Sequence, residues 1–142
     1  MSIKVMYRTS AKATGGRDGR STTLDGTLDV KLSTPKALGG TGGTGNNPEQ
    51  LFAAGYAACF IGAMKVAAAD IKGLVVPVDT SVIANVGIGP RAEGGFGLTI
   101  SLAIELPGLK TEIAQKLIDD AHQICPYSNA TRNNIDVGLS LV

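Results

Sequence analysis

The chain has 142 residues, of which 44% are apolar and 18% charged, a balance typical of a folded domain and not of a disordered segment. Its formal net charge is +1, it contains no Trp, and no basic block stands out, so nucleic-acid binding has no electrostatic basis. We see neither internal repeats nor a linker, and we therefore predict one domain spanning residues 1–142.

The N-terminal region has the pattern of a β-hairpin or meander. Residues 3–9 alternate apolar and polar side chains and predict a half-buried strand. Residues 13–21 form a glycine-rich turn, and residues 24–32 again alternate with a period of two. The first stretch lacks the apolar centre of a signal peptide, so we expect a cytoplasmic protein.

A long apolar helix follows the loop at residues 33–47. Asn47 is a suitable N-cap and Pro48 a suitable first residue, and the helix is expected to run to about Asp70 or Lys72 and to end before Gly73. It is apolar nearly all round, which predicts burial on most sides. Lys65 lies within it and small residues dominate it, so a buried helix fits better than a membrane span, and no membrane partner is expected.

The second half of the chain predicts two strands, a helix and a final strand. Residues 78–88 and 96–105 have strand patterns, and residues 110–124 form an amphipathic helix with Ile113, Leu117, Ile118 and Ala121 on one face. Residues 135–142 alternate and close the chain as a strand. The order βββ-α-ββ-α-β is that of an α+β fold, because strands and helices do not alternate regularly.

Nucleotide and metal binding are weakly supported. The sequence GTGGTG, starting at Gly40, matches G-x-G-x-x-G, but a polar stretch precedes it and no Gly-Lys-Ser/Thr follows. Two cysteines and one histidine offer neither C-x-x-C nor a spaced histidine pair, so we expect no metal site. His122 precedes Cys125 by three residues, and either it tunes that thiol or it is an ordinary polar helix residue.

Cys59, in the middle of the long helix, admits two interpretations. It is either a small buried hydrophobe or a nucleophile, and the second requires a cation that stabilises the thiolate. Arg17 or Arg20 in the glycine-rich turn is a candidate cation, with Glu49 or Asp18 as its anion. Helical spacing places Glu49, Phe52, Tyr56 and Cys59 along one stripe. These patterns leave a redox-active cysteine pair and two structural thiols equally open.

Several motifs along most of the chain carry a more specific resemblance. They are ATGGRDGR at 13–20, LDVKLSTP at 28–35, NPEQLFAAGYAACFIGAM at 47–64, GGFGL at 94–98, LPGL at 106–109 and AHQICPYSNATRNNIDV at 121–137. With these motifs the chain resembles the organic hydroperoxide resistance (Ohr) branch of the Ohr/OsmC family. Tyr56 and the CPYSNATR motif favour this branch over the sister OsmC branch.

This resemblance implies a cysteine-based peroxidase that reduces organic or lipid hydroperoxides to alcohols. Cys59 matches the peroxidatic cysteine, Cys125 the resolving cysteine, and Arg17 and Glu49 the pair that activates the thiol. The implied cycle passes through a Cys59 sulfenic acid and a Cys59–Cys125 disulfide. A dihydrolipoyl-bearing protein or another dithiol is the implied reductant, and no metal, flavin or haem is required.

The resemblance also implies an OsmC-like fold in which antiparallel sheets wrap around long central helices in an intertwined homodimer. An apolar lining of the site would favour organic peroxides over hydrogen peroxide, since only the former bring apolar surface to bury. Candidate lining residues are Phe52, Tyr56, Ile61 and Phe96.

Three other functions are compatible with parts of the sequence. One is a peroxidase of the OsmC type with broader peroxide use, and a second is a non-catalytic carrier of apolar ligands or a redox sensor. The third is a nucleotide-binding module built on GTGGTG. Sustained turnover with a dithiol, and a comparison of bulky and small peroxides, would separate the first two from the Ohr-type activity.

Overall fold

A computed structural model describes residues 2–142. The chain forms two compact units, one that ends at Pro48 and one that begins at Glu49. Each unit has its own small sheet, and strands and helices follow one another without regular alternation. The α+β class expected from the order of the elements is therefore confirmed.

The first unit is a three-stranded antiparallel meander. Its strands are β1 (Ala11–Thr14), β2 (Arg20–Thr23) and β3 (Asp29–Lys31), in the spatial order β1-β2-β3. The glycine-rich turn predicted at 13–21 contains a short 3₁₀ turn at Gly16–Asp18, and β2 already begins inside it. The predicted meander is correct in kind, but its strands are shorter and displaced along the sequence.

The strand predicted at residues 3–9 is wrong for this chain. Residues 2–10 form no strand, and Ile3, Val5 and Tyr7 are 71%, 51% and 79% exposed. Alternation produces a strand only where a neighbouring strand supplies hydrogen-bond partners, and the ladder between β1 and β2 begins at Ala11, opposite Thr23.

Polar contacts fix the turn region of the first unit. Arg20 donates from Nε and Nη2 to the two carboxylate oxygens of Asp29, at 2.6 and 2.9 Å, across β2 and β3. The Arg20 guanidinium lowers the pKa of Asp29, chiefly through this hydrogen bond. Asp18 Oδ1 accepts from the backbone N–H of Thr34 at 3.0 Å, so Asp18 has a structural role in this turn region.

The second unit contains the long helix and a mixed sheet. Its elements are α1 (Pro48–Ala69), β4 (Ser81–Pro90), β5 (Phe96–Glu105), α2 (Thr111–Ile124), α3 (Pro126–Thr131) and β6 (Val137–Leu141). β4 pairs antiparallel with β5, and β6 pairs parallel with β5, with Ile100 opposite Val137. The predicted helices and strands are confirmed to within a few residues at their ends, whereas α3 is not among the predicted elements.

A single hydrophobic core joins α1, β5 and α2. It is formed by buried side chains including Phe60, Met64, Leu102, Ile104, Leu117 and Ile118. Of the predicted apolar face of α2, Leu117, Ile118 and Ala121 are buried, but Ile113 is 40% exposed. Ala114 is buried in place of Ile113, so the buried face of α2 consists of Ala114, Leu117, Ile118 and Ala121.

The expectation that α1 is buried on most sides is wrong for the chain as described. One face is buried, through residues such as Tyr56 and Phe60, while Ala58, Lys65 and Val66 on other faces are exposed. By length and composition alone α1 could cross a membrane, a test that the core helix of a soluble protein also passes. Its packing against β5 and α2 matches the predicted core helix.

Candidate active site

The two cysteines, which are 66 residues apart in sequence, lie side by side. Cys59 Sγ and Cys125 Sγ are 3.8 Å apart, and both are free thiols. A disulfide has an S–S distance of about 2 Å, so a modest approach of the two sulfur atoms would allow the bond to form. The pairing that the resemblance implied is therefore geometrically possible within one chain.

Cys125 occupies the junction between two helices. Its backbone N–H donates to Ala121 O at 2.8 Å and ends α2, and its carbonyl accepts from Asn129 N–H at 2.9 Å and begins α3. Its extended backbone, with φ −61° and ψ 125°, turns the chain between the two helices. Pro126 then starts α3, where its missing N–H costs no helical hydrogen bond.

The two thiols differ in their environments. Cys125 is 0% exposed and belongs to the hydrophobic core, whereas Cys59 is half-buried and packs at its edge. Burial raises the pKa of Cys59, and the neighbouring Cys125 sulfur raises it further, while a backbone hydrogen bond from Tyr127 lowers it. Because the net shift is upward, these neighbours alone do not favour a thiolate at neutral pH.

Three aromatic rings pack beside the thiols. The centroids of Phe52, Tyr56 and Tyr127 are 5.5–6.1 Å apart, and both contacts of Phe52 are edge-to-face. Gly55 permits the approach of Tyr127, since a Cβ atom at Gly55 would lie 2.6 Å from the phenolic oxygen. Phe52 and Tyr56 thus lie together on one side of α1, as the helical spacing predicted.

A buried hydroxyl group connects the helices around Cys125. Ser128 Oγ is 2.7 Å from Tyr56 Oη and 2.8 Å from His122 Nδ1. Burial lowers the pKa of His122, the Arg132 charge lowers it further, and Asp119 opposes them. His122 Nδ1 therefore contacts Ser128, and the idea that His122 tunes the Cys125 thiol stays a prediction.

The other two candidate lining residues, Ile61 in α1 and Phe96 in β5, also lie in the second unit. Ile61 lines a cavity with Lys65, Leu74 and Val76, and Phe96 is 71% exposed beside Arg91 and Asn134. Neither of these two cavities is lined by a cysteine. Ile61 packs against the same hydrophobic core as Phe52 and Cys59, and a common lining formed by the four residues stays a prediction.

Arg17 and Glu49, the predicted activating pair, belong to different units. Arg17 lies in the 3₁₀ turn of the first unit, and Glu49 lies in the first turn of α1 at the start of the second. Both side chains are half-buried. Their roles toward Cys59 stay predictions, whereas Arg20, the alternative candidate cation, binds the carboxylate of Asp29.

The part of the chain from residue 2 to residue 142 contains no group of three or more His, Cys, Asp or Glu side chains that could hold a metal ion. The chemistry that the site offers is that of two adjacent thiols. One is half-buried and the other is held in the core, beside an aromatic cluster on α1 and α3. This arrangement is typical of a protein whose cysteines react with each other.

Comparisons with known proteins agree with this class of fold. A family model described as OsmC-like protein matches residues 40–140. An organic hydroperoxide resistance protein from Xanthomonas axonopodis pv. citri is 59% identical over 138 residues, which cover 97% of this chain and 96% of that protein.

Solved structures give the same result. The crystal structure of an organic hydroperoxide resistance protein from Legionella pneumophila matches with a TM-score of 0.90 and 46% identity, covering 97% of this chain and 98% of that one. That of OhrB from Bacillus subtilis matches with a TM-score of 0.87 and 41% identity, covering 97% and 100%. The fold is thus that of OsmC-like proteins. The chain belongs to this family, in its organic hydroperoxide resistance branch.

Proposed function

We propose that the protein acts in resistance to organic hydroperoxides as a thiol peroxidase, which reduces them to alcohols with Cys59 as nucleophile and Cys125 as resolving thiol. The relatives named organic hydroperoxide resistance proteins support the general role. The observation that carries the cysteine mechanism is the 3.8 Å distance between one half-buried thiol and one fully buried thiol.

The difference in exposure supports the assignment of roles. A dissolved peroxide can reach a half-buried sulfur more readily than one that is 0% exposed, so Cys59 reacts first. In this step the Cys59 thiolate attacks the distal oxygen of ROOH and breaks the O–O bond. The products are a Cys59 sulfenic acid and RO⁻, which takes up a proton to become the alcohol.

The first step needs a group that stabilises the thiolate form of Cys59. Burial and the Cys125 sulfur raise the pKa of Cys59, so the thiolate must gain its stability from a cation. We assign this role to Arg17, whose guanidinium would also stabilise the charge that develops on the leaving oxygen. Glu49 would hold that guanidinium in place by a charge-assisted hydrogen bond.

The second step joins the two cysteines. The Cys125 sulfur attacks the Cys59 sulfenic sulfur, the S–S bond forms, and the hydroxyl leaves with the Cys125 proton as water. A dithiol then reduces the disulfide by exchange and is itself oxidised to a disulfide. We assign this role to a dihydrolipoyl group on a partner protein, or to another small dithiol, in a cytoplasmic setting.

The aromatic cluster next to the thiols favours substrates with apolar groups. Phe52 is half-buried and packs against Tyr56 and Tyr127, so an alkyl or aryl group placed there would bury apolar surface. Each square ångström buried contributes about 25 cal/mol, which hydrogen peroxide cannot gain. A homodimer would supply further walls for this site, and Ile61 and Phe96 are further candidates for its lining.

The direct test is a single oxidation of the reduced protein. One equivalent of cumene hydroperoxide is added without oxygen, and intact mass and free thiols are measured within seconds. We expect both thiols to disappear with the loss of two hydrogens per chain, and no reaction at this rate in the Cys59→Ser variant. Two surviving thiols in the wild-type protein, or unchanged turnover in Cys59→Ser, would refute the proposal.

A further inference from the structure

Ser128 connects the three helices that surround the cysteine pair. It is 0% exposed in α3, and its hydroxyl contacts Tyr56 Oη of α1 at 2.7 Å and His122 Nδ1 of α2 at 2.8 Å. A second tie joins α2 to the end of α3, where Arg132 Nη2 donates to His122 O at 2.6 Å. The short helix after Cys125 is therefore held to both of its neighbours.

The direction of these hydrogen bonds follows from the available hydrogens. Ser128 has one hydroxyl hydrogen, so it can donate to only one of its two partners and must accept from the other. If Tyr56 donates to Ser128 and Ser128 donates to His122, the buried Tyr56 hydroxyl has an acceptor. This order makes His122 Nδ1 an acceptor and places the hydrogen of the neutral ring on Nε2.

Two members of this chain of hydrogen bonds, Tyr56 and Ser128, lie close to a thiol in sequence. Tyr56 precedes Cys59 by less than one turn of α1, and Ser128 follows Cys125 by three residues in α3. The hydrogen bond between Tyr56 and Ser128 therefore fixes α1, which carries Cys59, relative to the junction of α2 and α3, where Cys125 lies. The sulfur atoms lie 3.8 Å apart in this arrangement.

We propose that Ser128 is a positioning residue for the resolving step, and that its hydroxyl, shared between Tyr56 and His122, holds Cys125 ready to attack oxidised Cys59. This inference rests on the proposed peroxidase function. In the step concerned, Cys125 S–H and Cys59 S–OH form the disulfide and release water. If Cys125 is displaced, a second peroxide instead oxidises the sulfenic acid to sulfinic acid and leaves as an alcohol.

The ratio of disulfide to sulfinic acid reports the competition between these two reactions, and a change in folding stability alone does not alter it. Reduced protein is treated with increasing concentrations of cumene hydroperoxide, and intact mass gives the fractions of disulfide and of sulfinic acid. The concentration that produces equal amounts reports the rate of the resolving step relative to the second oxidation. We expect this concentration to fall about tenfold in Ser128→Ala, as the loss of a buried hydrogen bond that sets the geometry would predict.

A matched control lies in the same helix. Thr131 is also buried, but its hydroxyl bonds to the backbone carbonyls of Tyr127 and Ser128 within α3. Thr131→Val removes a buried hydroxyl but leaves the hydrogen bonds from α3 to α1 and α2 intact. We therefore expect equal amounts of disulfide and sulfinic acid at the wild-type peroxide concentration. An equal fall in both variants would mean that any loss of packing in α3 has this effect, and would overturn the role of Ser128.

Variants of His122 keep the test decisive if Ser128→Ala does not fold. His122→Asn retains an acceptor near the position of Nδ1, so disulfide and sulfinic acid should become equal near the wild-type peroxide concentration. His122→Ala lacks this acceptor and should behave like Ser128→Ala. If Ser128→Ala and His122→Ala both give equal amounts of disulfide and sulfinic acid at the wild-type peroxide concentration, the inference fails. If the wild-type protein shows no oxidation of Cys59 at all, it is the proposed peroxidase function that fails.

Discussion

Gly55 and Tyr127 approach so closely that a Cβ atom on Gly55 would lie 2.6 Å from the Tyr127 phenolic oxygen. The contact places the Tyr127 ring on α1, one turn before Cys59, while its backbone lies two residues beyond Cys125. The same tyrosine donates a backbone hydrogen bond that lowers the pKa of Cys59. The absence of a side chain at Gly55 therefore contributes to the geometry of both thiols.

We expect Gly55→Ala to impair the resolving step, because the added methyl group must push the Tyr127 ring away from α1. Alanine gains about 1 kcal/mol of helix propensity, and overpacking costs about 1–3 kcal/mol, so the free energy of unfolding should fall by about 0–2 kcal/mol. Urea unfolding measures the effect on stability, and the fraction of sulfinic acid after peroxide treatment measures the effect on the resolving step.

Gly62→Ala is the matched control for this prediction. Gly62 lies in the same helix, but a Cβ atom there would meet nothing within 4 Å, so only the gain of about 1 kcal/mol in helix propensity remains. The difference between the two variants isolates the steric cost at Tyr127. Size-exclusion chromatography of both variants shows whether either change alters assembly. If both variants are stabilised equally, the close contact between Gly55 and Tyr127 is contradicted.

Arg17→Lys tests the proposed source of thiolate stabilisation. Lysine keeps the positive charge but loses the planar group that can contact a sulfur, a peroxide oxygen and a carboxylate at once. We expect the second-order rate with cumene hydroperoxide to fall about 100-fold, with an unchanged thermal unfolding midpoint. The pH dependence of Cys59 alkylation should also shift upward, because burial and the Cys125 sulfur would act with less opposition.

Arg20→Lys is the appropriate comparison. Arg20 lies in the same glycine-rich region, but it is exposed and bonded to Asp29. We therefore expect a rate close to that of the wild-type protein. A wild-type rate in Arg17→Lys, or equal losses in both variants, would argue against a specific role for Arg17.

The cysteine pair itself separates the two oxidation steps. In Cys125→Ser the half-buried Cys59 remains, so the first oxidation should proceed, but no second thiol is present within the chain to resolve the sulfenic acid. We expect dimedone to label Cys59 after one equivalent of peroxide, and excess peroxide to give sulfinic acid. Sustained turnover in this variant with a dithiol would show that resolution does not require Cys125.

The long helix is well predicted from the sequence because its boundaries are marked by local chemistry. Pro48 can begin a helix and Gly73 follows its end, and α1 indeed spans Pro48–Ala69. Residues 3–9 show the opposite case, since their alternation is a strand pattern but the described chain supplies no strand to pair with them. A period of two predicts which side chains share a face, but not whether the strand finds a neighbour.

The contacts around the thiols cannot be predicted from spacing. Ser128 and Tyr56 are 72 residues apart, and their hydrogen bond depends on how α3 packs on α1. Pro126 cannot continue the preceding helix, and proline is also favoured at the first position of a new one, as in α3. The sequence Cys-Pro-Tyr-Ser, interpreted as a helix start, is the signal that could have directed attention to Ser128.

The electrostatic environment of His122 makes folding stability depend on pH. Burial and the nearby Arg132 charge lower the pKa of His122 below its ordinary value of 6.5, although Asp119 on α2 opposes them. Between the two pKa values the unfolded chain binds more protons than the folded one, so stability rises with pH. This contribution is present above pH 6.5 and is lost as the pH falls through the lower, folded-state value.

Protonation of His122 would also reverse the hydrogen bond between His122 and Ser128. A protonated ring donates from Nδ1, so the Ser128 hydroxyl accepts from His122 and its own hydrogen loses His122 as an acceptor. We expect the urea midpoint to fall on acidification below pH 6.5, and the fall to be smaller in His122→Asn, which does not titrate there. Identical acid dependence in the two proteins would show that carboxylate protonation accounts for the loss, and that the hydrogen bond to Ser128 does not sense the charge of His122.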